Sequence, residues 1–201
     1  MISRDLVPAP GLQLDDDGEA IGIRVVDSRH AGVAFARARL VDVELVRCDL
    51  SGCDFSESVW DRVHLVDCRA SAIELPQANL RHVTFVDCKL DDANLRLGRL
   101  QRVRFDACLL GAADFMGTQL DDVVFDRSDL AGADFSSAKT AAVDLRGARL
   151  DGLRGIGALA GAKIGFDQLV GLAPALAQAL GLQVLADEEP DQRDPPGRET
   201  R

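Results

Sequence analysis

Large hydrophobic residues recur at every fifth position through most of the chain. From Phe35 to Leu150 this spacing gives 24 positions, of which 22 are Leu, Phe or Trp and the other two are Ala70 and Thr140. The residue two places before each of them is always Ala, Gly, Ser, Thr, Cys, Val or Ile. An α-helix repeats about every 3.6 residues and a strand every two, so the spacing fits neither element.

A second repeat of twenty residues lies on top of the first. Four five-residue units therefore complete one turn, and each unit forms one side of a square coil. We expect the large residue to fill the centre of the coil and the small one to lie inside its corner. Residues 23–150 then make a little over six coils, or a rod roughly 30 Å long at about 4.8 Å per coil. Two stacked columns show the repeat: Val43, Val63, Val83, Val103, Val123 and Val143, and Cys48, Cys68, Cys88 and Cys108.

The pattern resembles the pentapeptide-repeat family, whose consensus is A-(D/N)-L-x-x. The segments GADFSSAKT, GAADFMGTQL and DDANLRL carry the resemblance, which covers about residues 21–150. It implies an all-β solenoid: a right-handed quadrilateral parallel β-helix of about six to seven coils, closed by a short C-terminal α-helical cap. Inside this fold we expect the large ring of Trp60 to fill the space left by Ala70, which lies opposite it in the coil.

The ends of such a rod need covers, because an open coil presents unpaired backbone groups. The segment LQL-DDDG-EAIGIRVV from Leu12 is interpreted as strand, turn and strand over the first coil. The chain is thus divided into an N-terminal cap or tail (1–20), the β-helix (21–152), a helical cap and candidate dimerisation segment (153–186) and a polar, Pro-rich tail expected to be disordered (187–201).

The segment FDQLVGLAPALAQALG after the repeats is predicted to form a helix. Asp167 is the expected N-cap, Gly181 the stop, and Pro174 should kink or split the helix. LQVL (182–185) is a candidate strand. The helix either caps the last coil or caps it and also forms a homodimer, and both alternatives stay open. The residues predicted for this cap and dimer face are Leu169, Leu172, Ala173, Leu176 and Leu180.

Composition narrows the class of protein. The net charge is −10, from 33 acidic and 23 basic residues, which argues against direct binding of nucleic acid because phosphate contacts need clustered Lys and Arg. No apolar run approaches the roughly 20 residues that cross a bilayer, and no signal peptide is recognised. We expect a cytoplasmic protein, in keeping with thiols that stay reduced.

Neither the cysteines nor the histidines indicate a catalytic or metal site. All five cysteines occupy the small inward position, where a free thiol behaves as a small hydrophobe. Paired C-x₂₋₄-C zinc spacing is absent, and His64 and His82 are interpreted as surface residues. A convex rod offers no cleft for catalysis. We therefore expect no enzyme, no cofactor and no metal.

The family's best-known members, the bacterial quinolone-resistance proteins, imitate duplex DNA and bind DNA gyrase or topoisomerase IV. The mycobacterial member ends in a helical segment that forms its dimer, and FDQL resembles the start of that helix. The resemblance implies a DNA-mimicking ligand that protects gyrase from drugs or toxins. The alternatives are a scaffold for another protein partner and an accessory protein of a biosynthetic or secretion system.

Charge placement offers a candidate binding band beside the dimerising end. Between Arg81 and Arg104 bases outnumber acids, whereas the next one and a half coils carry seven acids against Arg127 alone. On the charges alone, solvation of a repeat whose consensus favours Asp is the slightly favoured explanation of these acids. The candidate acidic partner-binding band is Asp106, Asp114, Asp121, Asp122, Asp126, Asp129 and Asp134.

Overall fold

The computed structural model describes residues 6–14 and 18–184. It is a parallel β-solenoid of about seven turns followed by a single C-terminal helix, as the five-residue spacing predicts. The strands are β1 Val7–Ala9, β2 Glu19–Ile21, β3 Ile23–Val26, β4 Arg39–Val46, β5 Val59–Val66, β6 Asn79–Arg81, β7 Thr84–Val86, β8 Arg99–Asp106, β9 Gln119–Asp126 and β10 Lys139–Asp144. A 3₁₀ helix, Ile156–Leu159, and the helix α1, Phe166–Ala179, follow.

Successive coils pair in parallel with a register shift of twenty residues. In β4 and β5, Val43 lies opposite Val63, and Val123 pairs in the same way with Val103 and Val143. The predicted valine column is therefore confirmed in these pairs. The strands occupy two sides of the coil, and single bridges such as Asp49 with Arg69 hold the other two.

We number the four sides by their inward residue. In one coil, side 1 contains Leu40, side 2 Leu45, side 3 Leu50 and side 4 Phe55, and each residue returns to the same side after twenty positions. All four of these side chains are fully buried, and the equivalent residues near the two ends of the rod are slightly more exposed. Residues adjacent to the inward one point outward and form the surface of that side.

The corners of the coil are left-handed. From Gly22 to Gly152, every fifth residue has a positive φ, and twenty of these residues are not glycine, with φ between 50 and 61°. Such a conformation costs roughly 1–2 kcal/mol per L-residue. Corner N–H groups donate to carbonyls of the next coil, as Arg47 does to Val66 and Asp67 to Val86, both at 2.9 Å. Stacking therefore holds conformations that an isolated coil would not keep.

Aromatic rings stack along the axis of the rod. On side 2, Phe85, Phe105 and Phe125 are parallel within about 6°, with ring centroids 4.8 and 4.9 Å apart. On side 4, Phe115 and Phe135 stack at 4.7 Å and meet the side 2 rings edge to face. These centroid distances equal the spacing of adjacent strands, so the rings follow the backbone repeat.

The cysteines are free and buried, as predicted. Each thiol of the twenty-residue column donates to the carbonyl two residues before it, for example Cys88 to Val86 at 3.3 Å. The hydroxyl of Ser28 continues the column and donates to Cys48 Sγ at 3.2 Å. Burial raises the pKa of Cys53, which keeps that thiol protonated.

The N-terminal cover differs from the predicted hairpin. Residues 12–14 are not a strand; instead β1 pairs in parallel with β3, with Val7 opposite Ile23. Leu12 is buried against the first coil, and its N–H donates to His30 Nε2 at 3.0 Å. Residues 15–17 of the predicted turn lie outside the described residues, as does the predicted disordered tail.

At the other end, Thr140 and Gly155 fasten the 3₁₀ helix to the last coil. The hydroxyl of Thr140, an exception to the Leu/Phe pattern, donates to the Ala158 carbonyl at 3.1 Å. Gly155 has a φ of 72°, and a Cβ there would lie 2.3 Å from the backbone nitrogen of Ser136. This close approach of two backbones requires glycine.

Helix α1 begins earlier than predicted. Its N-cap is Gly165, so the assignment of Asp167 as N-cap is wrong. The Gln168 side chain accepts the Gly165 N–H at 2.6 Å and donates to the carbonyls of Leu145 and Ala148 at 2.7 and 2.6 Å. One amide therefore both caps the helix and ties it to the rod.

The helix continues through Pro174 as one element, so the predicted split does not occur. It ends at Gly181, as predicted: Gly181 has a φ of 69°, its N–H donates to Gln178, and the Leu182 N–H donates to Ala177. Residues 182–184 are not a strand, and Leu185 lies outside the described residues.

Two buried polar atoms in the described part of the chain lack a hydrogen-bond partner, Ser58 Oγ and Trp60 Nε1. Trp60 is fully buried and meets Phe55 edge to face, with centroids 5.1 Å apart. Its size match with Ala70, which is also fully buried, stays a prediction. A buried hydroxyl without a partner costs about 1–3 kcal/mol.

We expect Ser58→Ala to raise the free energy of unfolding by about 1 kcal/mol, because it removes an unpartnered hydroxyl from the core. Thr118 provides the matched control: it occupies the same column three coils later, and its hydroxyl donates to the Leu95 carbonyl at 2.7 Å. Thr118→Ala should therefore lower the free energy by about 1 kcal/mol or more. Urea denaturation measures both, and equal losses would contradict the distinction.

Candidate protein-interaction surface

The structure distributes the predicted acidic band over all four sides of the rod. Its seven carboxylates follow one another along the chain, but a coil turns a corner every five residues, so chain neighbours face different directions. No side receives more than two of them. Side 1 carries Asp121 and Asp122, side 2 Asp106 and Asp126, side 3 Asp129, and side 4 Asp114 and Asp134.

Arginines neutralise the two carboxylates on side 2. Arg104 Nη2 lies 2.6 Å from Asp126 Oδ2 and 3.6 Å from Asp106 Oδ2. Arg127 forms a second ion pair with Asp106. These pairs join adjacent coils and leave little net negative charge on this part of the surface. The sequence pattern identified these acidic residues but did not predict that Arg104 and Arg127 would form ion pairs with them.

The carboxylates on sides 3 and 4 close local turns. Asp114, Asp129 and Asp134 each accept the backbone N–H two residues later, at 2.8 to 2.9 Å. This arrangement is an Asx-turn, and it accounts for the Asp/Asn preference of the repeat. Hydrogen bonding by Ser136 lowers the pKa of Asp134, and hydrogen bonding by Arg149 lowers that of Asp129.

On side 1 the carboxylates lie next to polar and basic neighbours. Asp121 accepts from Gln101 Nε2 at 3.2 Å, and Asp122 is an exposed corner residue without a cation partner among the described residues. Two coils away, His82 lies between Asp61 at 3.2 Å and Arg102 at 2.7 Å. The predicted band is therefore not a continuous acidic surface.

Side 4 instead carries a vertical series of four carboxylates that is interrupted by Asn94. The residues just before its inward Leu or Phe bridge from coil to coil in an unbroken series. We call this series the acidic ladder. It was missed because charges were counted along the chain, although every twentieth residue from Asp54 would have shown it. Its members are Asp54, Glu74, Asn94, Asp114 and Asp134.

In the first half of the acidic ladder, neither Asp54 nor Glu74 forms an ion pair with any of the described residues. Asp54 accepts from the hydroxyl of Ser56 and from its N–H, the latter at 2.8 Å, and these bonds lower the pKa of Asp54. Glu74 accepts from Asn94 Nδ2 at 2.6 Å. The neighbouring corner residue Glu57 is exposed. In the second half, Arg96 and Arg154 pair with Asp114 and Asp134, at 3.1 and 3.5 Å. The negative charge of side 4 is thus concentrated in its first two carboxylates and Glu57.

The predicted cap and dimer residues separate into two groups. Leu172 is buried and Leu176 packs against the core, so both cover the last coil. Leu169, Ala173 and Leu180 are exposed, Leu180 by 74%. Other exposed apolar side chains lie nearby, namely Phe166, Val170, Leu182 and Val184.

Two apolar grooves flank α1. One, of about 500 Å³, lies between the helix and the 3₁₀ helix and is lined by residues such as Leu153, Ile156 and Leu176. The other, of about 610 Å³, is lined by the outer face of the helix and by Leu182 and Val184. The last coil is therefore only partly covered by the chain's own helix.

Within residues 6–14 and 18–184, no cluster of three or more His, Cys, Asp or Glu side chains could hold a metal ion. In the same part of the chain, no helix is both long and apolar enough to cross a bilayer.

Comparison with known families settles the class of the repeat. Residues 27–59 match the family described as "Pentapeptide repeats (8 copies)", and residues 60–135 match the family described as "Pentapeptide repeat region". The chain belongs to the pentapeptide-repeat family. Among curated proteins, no relative was found.

Several solved structures of the family resemble this pentapeptide-repeat protein. A form of QnrB1, a plasmid-mediated fluoroquinolone resistance protein, is 25% identical over 83% of each chain, with a TM-score of 0.46. HetL, involved in heterocyst differentiation in Nostoc, is 16% identical over 68% of this chain and 84% of its own, with a TM-score of 0.20. A protein of the Arabidopsis thaliana thylakoid lumen is 23% identical over 63% and 74%, with a TM-score of 0.25. With TM-scores below 0.5, none of these likenesses indicates what the present chain binds.

The buried turn carboxylate Asp134 should make the rod sensitive to acid. Because its pKa is lowered in the folded protein, its stabilisation is complete above the unfolded pKa of about 4 and is lost as pH falls through the folded pKa. We expect Asp134→Asn to melt at a lower temperature at neutral pH and to lose less stability than the wild type on acidification.

Thermal denaturation from neutral to acidic pH measures this difference. Asp122→Asn is the matched control, because it removes the same charge from an exposed corner, and its melting temperature should follow the wild-type curve. If Asp134→Asn also ran parallel to the wild type at every pH, the role of the Asp134 carboxylate would be refuted.

Proposed function

We propose that this protein is a non-enzymatic rod that mimics DNA, binds DNA gyrase or a related type II topoisomerase in the cytoplasm, and protects it from drugs or toxins. The acidic ladder on side 4 is the observation that carries the proposal. It places Asp54 and Glu74 on adjacent coils, about 4.8 Å apart, and Asp114 and Asp134 likewise, with Asn94 between the two pairs; a DNA strand carries one phosphate per about 3.4 Å. A surface that holds a DNA strand offers cations at comparable spacing.

The ladder is also rigid, which favours its use as a charge template. Its carboxylates are fixed by hydrogen bonds to Ser56, Asn94, Met116 and Ser136. Ordered charges lose less conformational entropy on binding than flexible ones. The carboxylates with no cation partner, Asp54 and Glu74, are the ones available to a partner's Lys and Arg.

A supercoiling assay with purified DNA gyrase tests the proposal. We expect the wild-type protein at micromolar concentration to inhibit supercoiling or to protect gyrase from a fluoroquinolone. The double variant Asp54→Asn/Glu74→Gln should weaken this effect about tenfold or more, since charge-assisted contacts contribute strongly to interfaces.

Asp121→Asn/Asp122→Asn is the control, because it removes the same charge from side 1 and should leave the effect unchanged. Absence of both inhibition and protection by the wild-type protein would overturn gyrase as the partner. Equal weakening by the two double variants would overturn side 4 as the binding surface.

We further propose a homodimer formed through α1 and the residues after it. Phe166, Val170 and Val184 are 77, 63 and 81% exposed, and they extend the apolar surface beside the two grooves of the cap. A second copy of the same surface would cover them and leave the sides of the rod accessible.

Sedimentation velocity tests the dimer. We expect a dimer for the wild type, and a monomer for Val170→Glu, because a buried carboxylate without a partner is unfavourable. Thr84→Glu on side 2, remote from the cap, should remain dimeric. A wild-type protein that is monomeric at high micromolar concentration would exclude this assembly.

The alternative is a scaffold of the same fold for a partner other than a topoisomerase. The ion pairs of Arg104 and Arg127 with the two side 2 carboxylates of the predicted band favour it, because this part of the acidity serves contacts between coils. The two functions separate in the gyrase assay: a scaffold leaves supercoiling unchanged and yields another protein in affinity purification.

A further inference from the structure

A groove runs along the edge between sides 2 and 3. It has a volume of about 470 Å³ and extends over four successive coils, from Asp27 to Lys89. Its floor is formed by the small residues of the cysteine column, Ser28, Cys48 and Cys68. These side chains are at most 9% exposed and point into the corner, so the space above them is open to solvent. The side chains of the floor are small, because Ser or Cys occupies the position that valine fills at another corner of the coil, as at Val43 and Val63.

The two walls of this groove carry opposite charges in every coil. One wall consists of the left-handed corner residues that close side 2, and the other of the residues that open side 3. The facing pairs are Asp27 with Arg29, Arg47 with Asp49, Asp67 with Arg69, and Asp87 with Lys89. In the next coil Ala107 and Leu109 take these positions, and the charged walls end.

The facing charges do not meet across the groove. Arg47 instead pairs along its own wall with Asp27, at 2.7 Å. The four charged side chains of the last two coils form no ion pair in the described part of the chain. One wall there presents two carboxylates, Asp67 and Asp87, and the other presents two cations, Arg69 and Lys89. All four are exposed. Arg47 lies near Asp67 and Asp49 lies near Arg69 along the walls, but neither forms an ion pair with them among the described residues, so these charges can still contact a ligand.

We propose that this groove binds an extended peptide segment of alternating charge. Side chains of an extended peptide point alternately to opposite sides, and those on one side recur about every 7 Å. Basic side chains then face the wall of Asp67 and Asp87, and acidic side chains face that of Arg69 and Lys89. The long, flexible Lys and Glu side chains of the peptide compensate for the difference between its spacing of about 7 Å and the distance of about 4.8 Å between coils.

The same walls discriminate against peptides of one charge. A polyanion would place half of its charge against the carboxylate wall, and a polycation would place half against Arg69 and Lys89. Like charges at such distances repel each other and offset the attraction to the opposite wall. The groove is separated by a full side of the coil from the acidic ladder, so this site is independent of the proposed binding of gyrase.

Fluorescence anisotropy with three labelled hexapeptides tests the site at low ionic strength, where such contacts are strongest. The probes are alternating Lys–Glu, all-Glu and all-Lys. We expect the alternating peptide to bind at least about tenfold more tightly than either of the others. Arg69→Glu replaces one of the two cations that face Asp67 and Asp87 by a carboxylate, and it should weaken the alternating peptide about tenfold while strengthening the all-Lys peptide.

Arg99→Glu is the matched control, because it makes the same charge change on side 1, opposite the groove. It should leave the preference for the alternating peptide unchanged. Thermal melting verifies that both variants fold, as expected for exposed side chains. Failure of the wild type to prefer the alternating peptide, or equal effects of the two variants, would overturn the site. Arg69→Glu should still act on gyrase as the wild type does, which separates this test from that of the proposed function.

Discussion

The rod depends on one constraint: a left-handed corner at every fifth residue. Twenty non-glycine residues hold this conformation, and at roughly 1–2 kcal/mol each no single coil could keep it. The backbone hydrogen bonds that corners donate to the next coil offset the cost only when coils are stacked. The five-residue spacing, the buried column of Leu and Phe, and the flat outward sides all follow from this geometry.

The core could be predicted from sequence because it is determined by a repeat, whereas the ends could not because they interrupt it. Val43 and Val63 stack as expected, since each coil imposes its register on the next. At the N-terminus, Val7 pairs with Ile23, a shift of sixteen residues that the repeat does not contain. At the C-terminus the cap depends on the Gln168 amide reaching two carbonyls of the last coil. A contact made by one side chain leaves no periodic signal.

The acidic surface, too, could not be predicted by reading charges along the chain. Counting charges along the chain places Asp106 and Asp126 in one band, but Arg104 and Arg127 meet them across the coils. Position in the coil decides the role of each carboxylate: before an inward residue on side 3 or 4 it closes a turn, as Asp129 does. The acidic ladder became visible only when residues twenty apart were compared, because a solenoid displays columns and not segments.

The proposed surfaces also follow from the coil. Each side exposes only one column of residues on either flank of its inward residue. A binding surface therefore consists of residues twenty apart in the chain and not of a local sequence motif. Side 4 concentrates negative charge at Asp54, Glu74 and Glu57 and suits a partner with closely spaced cations. The edge between sides 2 and 3 alternates charge between its walls, so it attracts only a ligand that carries both signs. Because the columns are fixed by the backbone repeat, a substitution such as Arg69→Glu changes one surface and leaves the other in place.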